Sequence, residues 1–315
     1  MKRLMRHPWW PWVKRVVGFA FMALVIGLLV RYARTVDWTA VKTSLLELPR
    51  EVLIRAFVFA AASHFVYSLL DLVGRRYTGH QLSKRRVMQV SFTSYAFNLN
   101  LGSLVGGIGL RYRLYSRFGL RPGQITRVVT VSMITNWIGY ILVAGLVFTI
   151  APLQLPPHWK LDSEGLRLVG VALLGFSAGY FGLVAFSKTR SFKIRGHIID
   201  LPSLPMALAQ HAISCSHWLT MAAVPWTLLQ DKVDYPTALS VMLIAAISGV
   251  ILHIPAGLGV TEAVFIGLLS HRVPDHEILG ALLAYRALFY LAPLLLGALM
   301  YLKVEARARK QAAVA

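Results

Sequence analysis

Residues 254–262 read Ile254-Pro255-Ala256-Gly257-Leu258-Gly259-Val260-Thr261-Glu262 and interrupt an otherwise apolar stretch, Thr237–Ser270. Proline removes a backbone donor and glycine admits non-helical dihedrals, so a helix entering this run is expected to break there. A second interrupted stretch lies earlier, from Val87 to Gly109, where MQVSFTSYAFNLNLGSLVGGIG is studded with Ser, Thr, Asn and Gly. Here the expected turn residues are Gly106, Gly107 and Gly109; in the later stretch they are Pro255, Gly257 and Gly259. Whether these are turns in a membrane depends on the rest of the chain.

The composition places them there. Apolar residues make up 57% of the 315 residues and charged residues 15%, against about 25% in a soluble domain. Mean hydropathy is +0.60. The charges are lopsided, 33 Lys+Arg against 13 Asp+Glu, a net +20. High apolarity excludes a disordered chain, and one cysteine, Cys215, excludes a disulfide scaffold. Nucleic-acid binders carry basic patches on polar surfaces, so that class is excluded as well. An integral membrane protein remains.

Hydropathy marks eight apolar elements, 16–33, 52–73, 87–105, 124–150, 166–187, 205–229, 237–270 and 278–303, most of them near the 20 residues a span needs. The first, Val16–Val30 at its heart, follows Trp9, Trp10 and Trp12 and lacks a small-residue cleavage site, which reads as a retained helix rather than a signal peptide. Stretches 1–15, 74–86, 106–127, 188–204 and the tail from Lys303 hold 23 of the 33 basic residues, and positive-inside bias puts them in the cytoplasm. That assignment works only if 87–109 dips in and returns, and if 237–270 does so from the opposite face. The expected fold is therefore an all-α polytopic bundle: six spans, two re-entrant hairpins, and both termini cytoplasmic. The order of span, span, hairpin, span occurs twice, in 16–150 and 166–303. Gly107-Ile108-Gly109 matches Gly257-Leu258-Gly259 at an offset of 150. Two inverted repeats within a single transmembrane domain, 1–315, are the expectation, a pattern typical of transporters.

Few residues in such a chain carry chemistry. Glu262 follows the second break in an apolar arm, where a carboxylate is costly unless paired, protonated or hydrated. Arg286, in ALLAYRALFY, is its expected partner. The two read either as a structural clamp or as a site in which the guanidinium fork holds a phosphate. Asp71 lies within reach of Arg75, Arg76, Arg111 or Arg113. Arg111, Arg113 and Arg117 in RYRLYSR read as positive-inside bias or as a landing patch for anionic head groups. Asn136 stands 150 residues before Arg286. Asn98, Asn100, Gln210, His64, His211, His217 and His253 read mainly as interhelical hydrogen-bonding groups. No metal-ligand spacing, Walker sequence, nucleophile elbow or dinucleotide fingerprint is present, so neither metal, cofactor nor catalysis is expected.

GGIGLRYRLYSRFGL, SYAFNLNLG, ITRVVTVSMITNWIGYIL, HIPAGLGVTEAVFIGLL and ALLAYRALFYLAPLLL resemble the transmembrane family that also forms the flippase half of lysylphosphatidylglycerol synthetases. The resemblance covers nearly the whole chain, and Pro255–Glu262 is its most specific piece. It implies a bacterial inner-membrane domain that moves lipids between leaflets, with Arg111, Glu262 and Arg286 at the matching positions. The synthetases add a soluble transferase domain after the membrane part. This chain ends twelve residues beyond Lys303, so it is not expected to make lysyl lipid alone. The expected activity is translocation of anionic or polyprenyl-phosphate lipids. The alternative is a non-transporting partner of a lipid-synthesising or envelope-assembly enzyme.

Overall fold

A computed structural model describes residues 37–153, 155, 162–194, 197–252 and 254–314. The expected first span, 16–33, with its flanking tryptophans, and His253 lie outside the described residues. Among the described residues, the regular elements are helices apart from one short hairpin. Helix α1 (Trp38–Leu46) starts on Asp37, whose carboxylate accepts from the amides of Thr39 and Ala40. Pro49 precedes α2 (Arg50–Ser68), which continues with a jog at Leu69 into α3 (Leu70–Thr78) and stops on left-handed Gly79. Helix α4 (Lys84–Leu101) ends at Gly102; a π-helical turn, Ser103–Gly109, then leads into α5 (Leu110–Arg117). Pro122 opens the long α6 (Pro122–Ile150), and Asp162 caps α7 (Ser163–Phe186).

Strands β1 (Ser191–Ile194) and β2 (His197–Asp200) pair antiparallel in what reads from the sequence as a plain loop, a small departure from an all-α fold. Then come α8 (Leu204–Leu228), α9 (Tyr235–Leu252), a 3-10 turn at Pro255–Gly257 and α10 (Val260–Leu269). Helix α11 (Asp275–Tyr285) passes through a π-helical turn, Arg286–Leu291, into α12 (Ala292–Val314).

Among the described residues, five helical stretches are long and apolar enough to cross a membrane: 50–78, 122–150, 163–186, 235–252 and 275–307. Helix α8 is as long as several of these but carries Gln210, His211, Ser214 and His217, all buried. It is packed by α2, α6, α7, α9 and α11, so protein rather than lipid surrounds its polar face. The main core gathers around it, and a smaller cluster of Val87, Val90, Leu114, Ile125, Val128 and Val129 seats α5 against α4 and α6.

Distant segments meet in two separate groups. At one end, Tyr77 reaches Asp200, Arg86 lies over the Phe118 ring, and Arg113 and Arg117 both pair with Glu305. At the other, Lys232 pairs with Glu277, Arg272 with Asp234, and Gly280 of α11 packs on Ser44 of α1. Asp234 also caps α9 through Thr237. Burial raises its affinity for a proton, but the Thr237 hydrogen bonds and Arg272 outweigh that and hold the carboxyl below its ordinary range. The start of α4 thus lies by the end of α5, at Arg86 and Phe118, and the start of α9 by the end of α10, at Asp234 and Arg272.

The turn of the first hairpin differs from the sequence expectation. The reversal falls at Gly102, with φ +81°, a conformation that favours glycine. Gly106, Gly107 and Gly109 lie in the returning leg instead. A Cβ on Gly106 would sit 2.3 Å from the backbone of Phe97 and Asn98, so this glycine permits close packing of the two legs. In the second hairpin the turn is where it is expected. Ala256, Gly257 and Gly259 take φ of 58°, 55° and 77°.

Close approach also joins α6 to α8. A methyl group at Gly139 would meet Ser214 Oγ at 2.1 Å and its carbonyl carbon at 2.8 Å. Gly139→Ala is expected to cost about 1–3 kcal/mol, read as a lower thermal midpoint in detergent. Gly123→Ala, with open space around it, should leave the midpoint nearly unchanged.

Candidate functional site: two arginine–carboxylate pairs at helix breaks

Each hairpin is tied by an arginine that bonds both a carboxylate and the broken backbone. In the first, Arg111 Nε donates to Asp71 Oδ2 at 3.1 Å and its Nη1 to the Gly107 carbonyl at 3.1 Å. Its Nη2 points at Tyr67 Oη, 3.4 Å away. Asp71 accepts two further bonds, from Tyr115 Oη and Ser132 Oγ, each at 2.8 Å. Tyr115 stands one turn after Arg111 on α5, so both side chains reach α3 from one helix face. Ser132 approaches from α6. The pair is sealed, with side-chain exposures of 3% and 0%.

In the second, Arg286 meets Glu262 side-on: Nε to Oε1 at 2.6 Å and Nη2 to Oε2 at 2.9 Å. Its other donors cap the break, Nη1 to the Ala256 carbonyl at 3.2 Å and Nη2 to that of Gly257 at 3.3 Å. Glu262 Oε2 also accepts from the Gly259 amide at 2.9 Å, closing the N-terminus of α10. The Arg286 guanidinium lies 5.3 Å from the centre of the Tyr290 ring. This pair is partly open, at 14% and 18%.

A buried polar layer runs from the first pair. Tyr67 stacks on Tyr95 with ring centres 3.5 Å apart, Tyr95 Oη lies 3.3 Å from His217 Nε2, and His217 Nδ1 lies 3.0 Å from Ser63 Oγ. It joins α2, α4 and α8. Next to it, Asn100 Nδ2 donates to the Ala96 and Tyr290 carbonyls, tying the tip of α4 to the π-helical turn after Arg286.

The structure therefore brings Asp71 to Arg111 and Glu262 to Arg286, with the backbone of Gly107 at the first pair and of Gly257 and Gly259 at the second, and places Arg113 and Asn136 elsewhere. Arg113 is on the surface, half exposed, and shares Glu305 with Arg117. Asn136 faces α8: its carbonyl accepts from Ser214 Oγ and Trp218 Nε1, and its side-chain oxygen is buried without a partner. Tyr67, Tyr115, Ser132 and Tyr290 join the charges as partners that the sequence does not mark as such. Tyr115 had a signal, the i, i+4 spacing from Arg111; Ser132 had none. Among the described residues, no three His, Cys, Asp or Glu side chains gather to hold a metal ion.

Several spans, buried ionisable pairs and broken helices define a multi-pass α-helical membrane protein. The chain belongs to the family of the lysylphosphatidylglycerol synthase TM region, whose model matches residues 15–297. It is 47% identical over 305 residues to the inner membrane protein YbhN of Escherichia coli K12, covering 96% of each chain. It is 28% identical to the uncharacterised protein slr0712 of Synechocystis, covering 88% of this chain and 87% of that one. It is 23% identical to a phosphatidylglycerol lysyltransferase of Staphylococcus aureus, covering 88% of this chain but only 33% of the lysyltransferase.

Removing one member of a sealed ion pair leaves the other charge buried and alone, at a cost of about 3–5 kcal/mol. Asp71→Ala is expected to lower stability by that amount, measured by denaturant unfolding in micelles. Tyr115→Phe, which removes one hydrogen bond to the same carboxylate, should cost about 1–3 kcal/mol.

Proposed function

We propose that the protein translocates phospholipids with anionic or polyprenyl-phosphate head groups across the bacterial inner membrane. The observation that carries this reading is the contrast between the two pairs. Asp71–Arg111 is sealed, and acts as the anchor of the first hairpin. Glu262–Arg286 stays partly open where the two hairpins meet, α4 packing on the Pro255–Gly257 turn. Beside it, Leu101, Leu104, Val105 and Leu258 expose apolar side chains. A cation flanked by apolar surface suits a head group with its tails left in lipid. Arg286 is the phosphate ligand in this reading, and Glu262 its competitor and gate.

The topology that goes with it has six spans and two re-entrant hairpins in inverted repeats, with both termini cytoplasmic. Its support is that basic stretches gather at one end of the body and each hairpin returns to the end it left. Broken helices that meet inside the bilayer are a recurrent way to build a carrier site. No ATP-binding motif is present in the sequence, which favours downhill or ion-coupled movement.

Proteoliposomes with fluorescent phosphatidylglycerol in one leaflet test the activity. The wild type is expected to move the lipid, and Arg286→Ala to slow it at least about tenfold, the loss of one charge-assisted contact. Equal rates in a folded Arg286→Ala would remove the site. No movement by the wild type, with a lipid-synthesising enzyme co-purifying, would favour a partner-subunit role. Topology is checked with single cysteines in a Cys215→Ala background. Ser116→Cys should react from the cytoplasm and His271→Cys from the periplasm; the same side for both would overturn the hairpins.

A further inference from the structure

Arg286 has five N–H donors, and four bonds from Nε, Nη1 and Nη2 already go to Glu262 and to the carbonyls of Ala256 and Gly257. One N–H is left. A phosphate cannot take a two-pronged hold on this guanidinium while the carboxylate keeps its own. The head group must displace Glu262, and the fate of that carboxylate then decides how cargo and protons are connected.

Among the described residues its surroundings offer no second cation. The groups facing Glu262 among the described residues are Arg286 and the Gly259 amide, with Tyr290 beneath the guanidinium and Tyr285 one residue before it. The neighbouring helices add nothing that could neutralise it. Helix α9 carries one ionisable side chain, Tyr235, bonded to the Leu219 carbonyl at the far end of that helix. In α11 the titratable groups before Tyr285 are Asp275, His276 and Glu277, all in its first turn, about two and a half turns before Arg286, and Glu277 is held there by Lys232. Arg272, after α10, pairs with Asp234. The basic residues of α4 are confined to Lys84, Arg85 and Arg86 in its first turn, away from the tip that packs on Pro255–Gly257. A carboxylate set free here, in an apolar arm, leaves an unpaired charge within the bilayer, which is costly, and a proton removes that cost.

We infer that the protein binds one proton together with each mono-anionic phosphate head group: the phosphate takes Arg286 from Glu262, and Glu262 takes the proton. The inference rests on the translocase reading and adds its coupling ion. The loaded site keeps the charge of the empty one, because the phosphate replaces the carboxylate against Arg286 and the acid becomes neutral. Loading is also linked to pH, since each ligand raises the affinity for the other by the same factor. The Asp71–Arg111 pair has no such exchange available. It is sealed, and Asp71 keeps the hydroxyls of Tyr115 and Ser132 whatever happens at Arg111.

The test uses the full chain in proteoliposomes of phosphatidylethanolamine and phosphatidylglycerol, with a pH dye in the lumen and the membrane potential clamped. Fluorescent phosphatidylglycerol is added to the outer leaflet. Expected for the wild type is lumenal acidification in step with inward lipid movement, about one proton per lipid, and loading that strengthens about tenfold per unit fall in pH before it saturates. In Glu262→Gln, whose amide imitates the protonated acid, the movement that remains should carry no proton and show a flat pH profile. Arg286→Lys should move lipid more slowly and still acidify the lumen. Wild-type lipid movement with no acidification overturns the inference and leaves the translocase reading standing. So does a Glu262→Gln protein as pH-dependent as the wild type. Absence of wild-type lipid movement removes both. If Glu262→Gln does not fold, the wild-type proton-to-lipid ratio decides alone.

Discussion

A helix that breaks inside a packed helical body frees carbonyls and amides, and those that water does not reach have to be satisfied by protein. The fold of this chain is arranged around that demand. At both breaks an arginine meets it, reaching back with one part of its fork to the freed carbonyls while another part holds a carboxylate. Arginine suits the task because its planar donors address several acceptors at once and its charge persists at any pH. The carboxylate is needed in turn, since a lone guanidinium there would be as costly as the broken backbone.

The two solutions differ in how tightly they are closed. Around Asp71 the chain spends a tyrosine, a serine and the end of a helix to surround the charges. Around Glu262 the third acceptor bond comes from the Gly259 amide at the start of the same helix, and part of the pair stays reachable. A buried ion pair gains little net stability over an apolar filling but fixes geometry strongly. That makes the closed pair suited to holding a hairpin in place, and the open pair suited to exchanging partners. The buried Tyr67, Tyr95 and His217 layer lies between the sealed pair and the centre of the molecule, tying α2, α4 and α8 into one unit.

Much of this is legible in the sequence. The break at Pro255–Gly259 and the pairing of Glu262 with Arg286 follow from cost: few residues besides Arg286 could relieve a carboxylate in that apolar arm. Among the described residues, the basic stretches 74–86, 106–127, 188–204 and the tail from Lys303 meet through Tyr77 and Asp200, Arg86 and Phe118, and Arg113, Arg117 and Glu305. The first hairpin was less legible. Four glycines crowd 102–109, and composition does not say which of them takes the left-handed conformation and which only makes room for Phe97 and Asn98. Asn136 shows the limit of repeat arithmetic: an offset of 150 relates it to Arg286 in sequence, yet in space it serves the contact between α6 and α8.

From the residues alone, then, came the class of molecule, the places where helices stop, and the charges that need partners. These are read from local chemistry, because proline, glycine and an isolated carboxylate carry their costs wherever the chain goes. Which of several arginines answers Asp71, that Ser132 and Tyr115 complete its shell, and that one pair is sealed while the other is open came from the packing of α3, α5 and α6 around the first pair and of α10 and α11 around the second. Burial is a property of neighbours distant in sequence, and nothing in RYRLYSR or ALLAYRALFY records how many walls will close around its arginine.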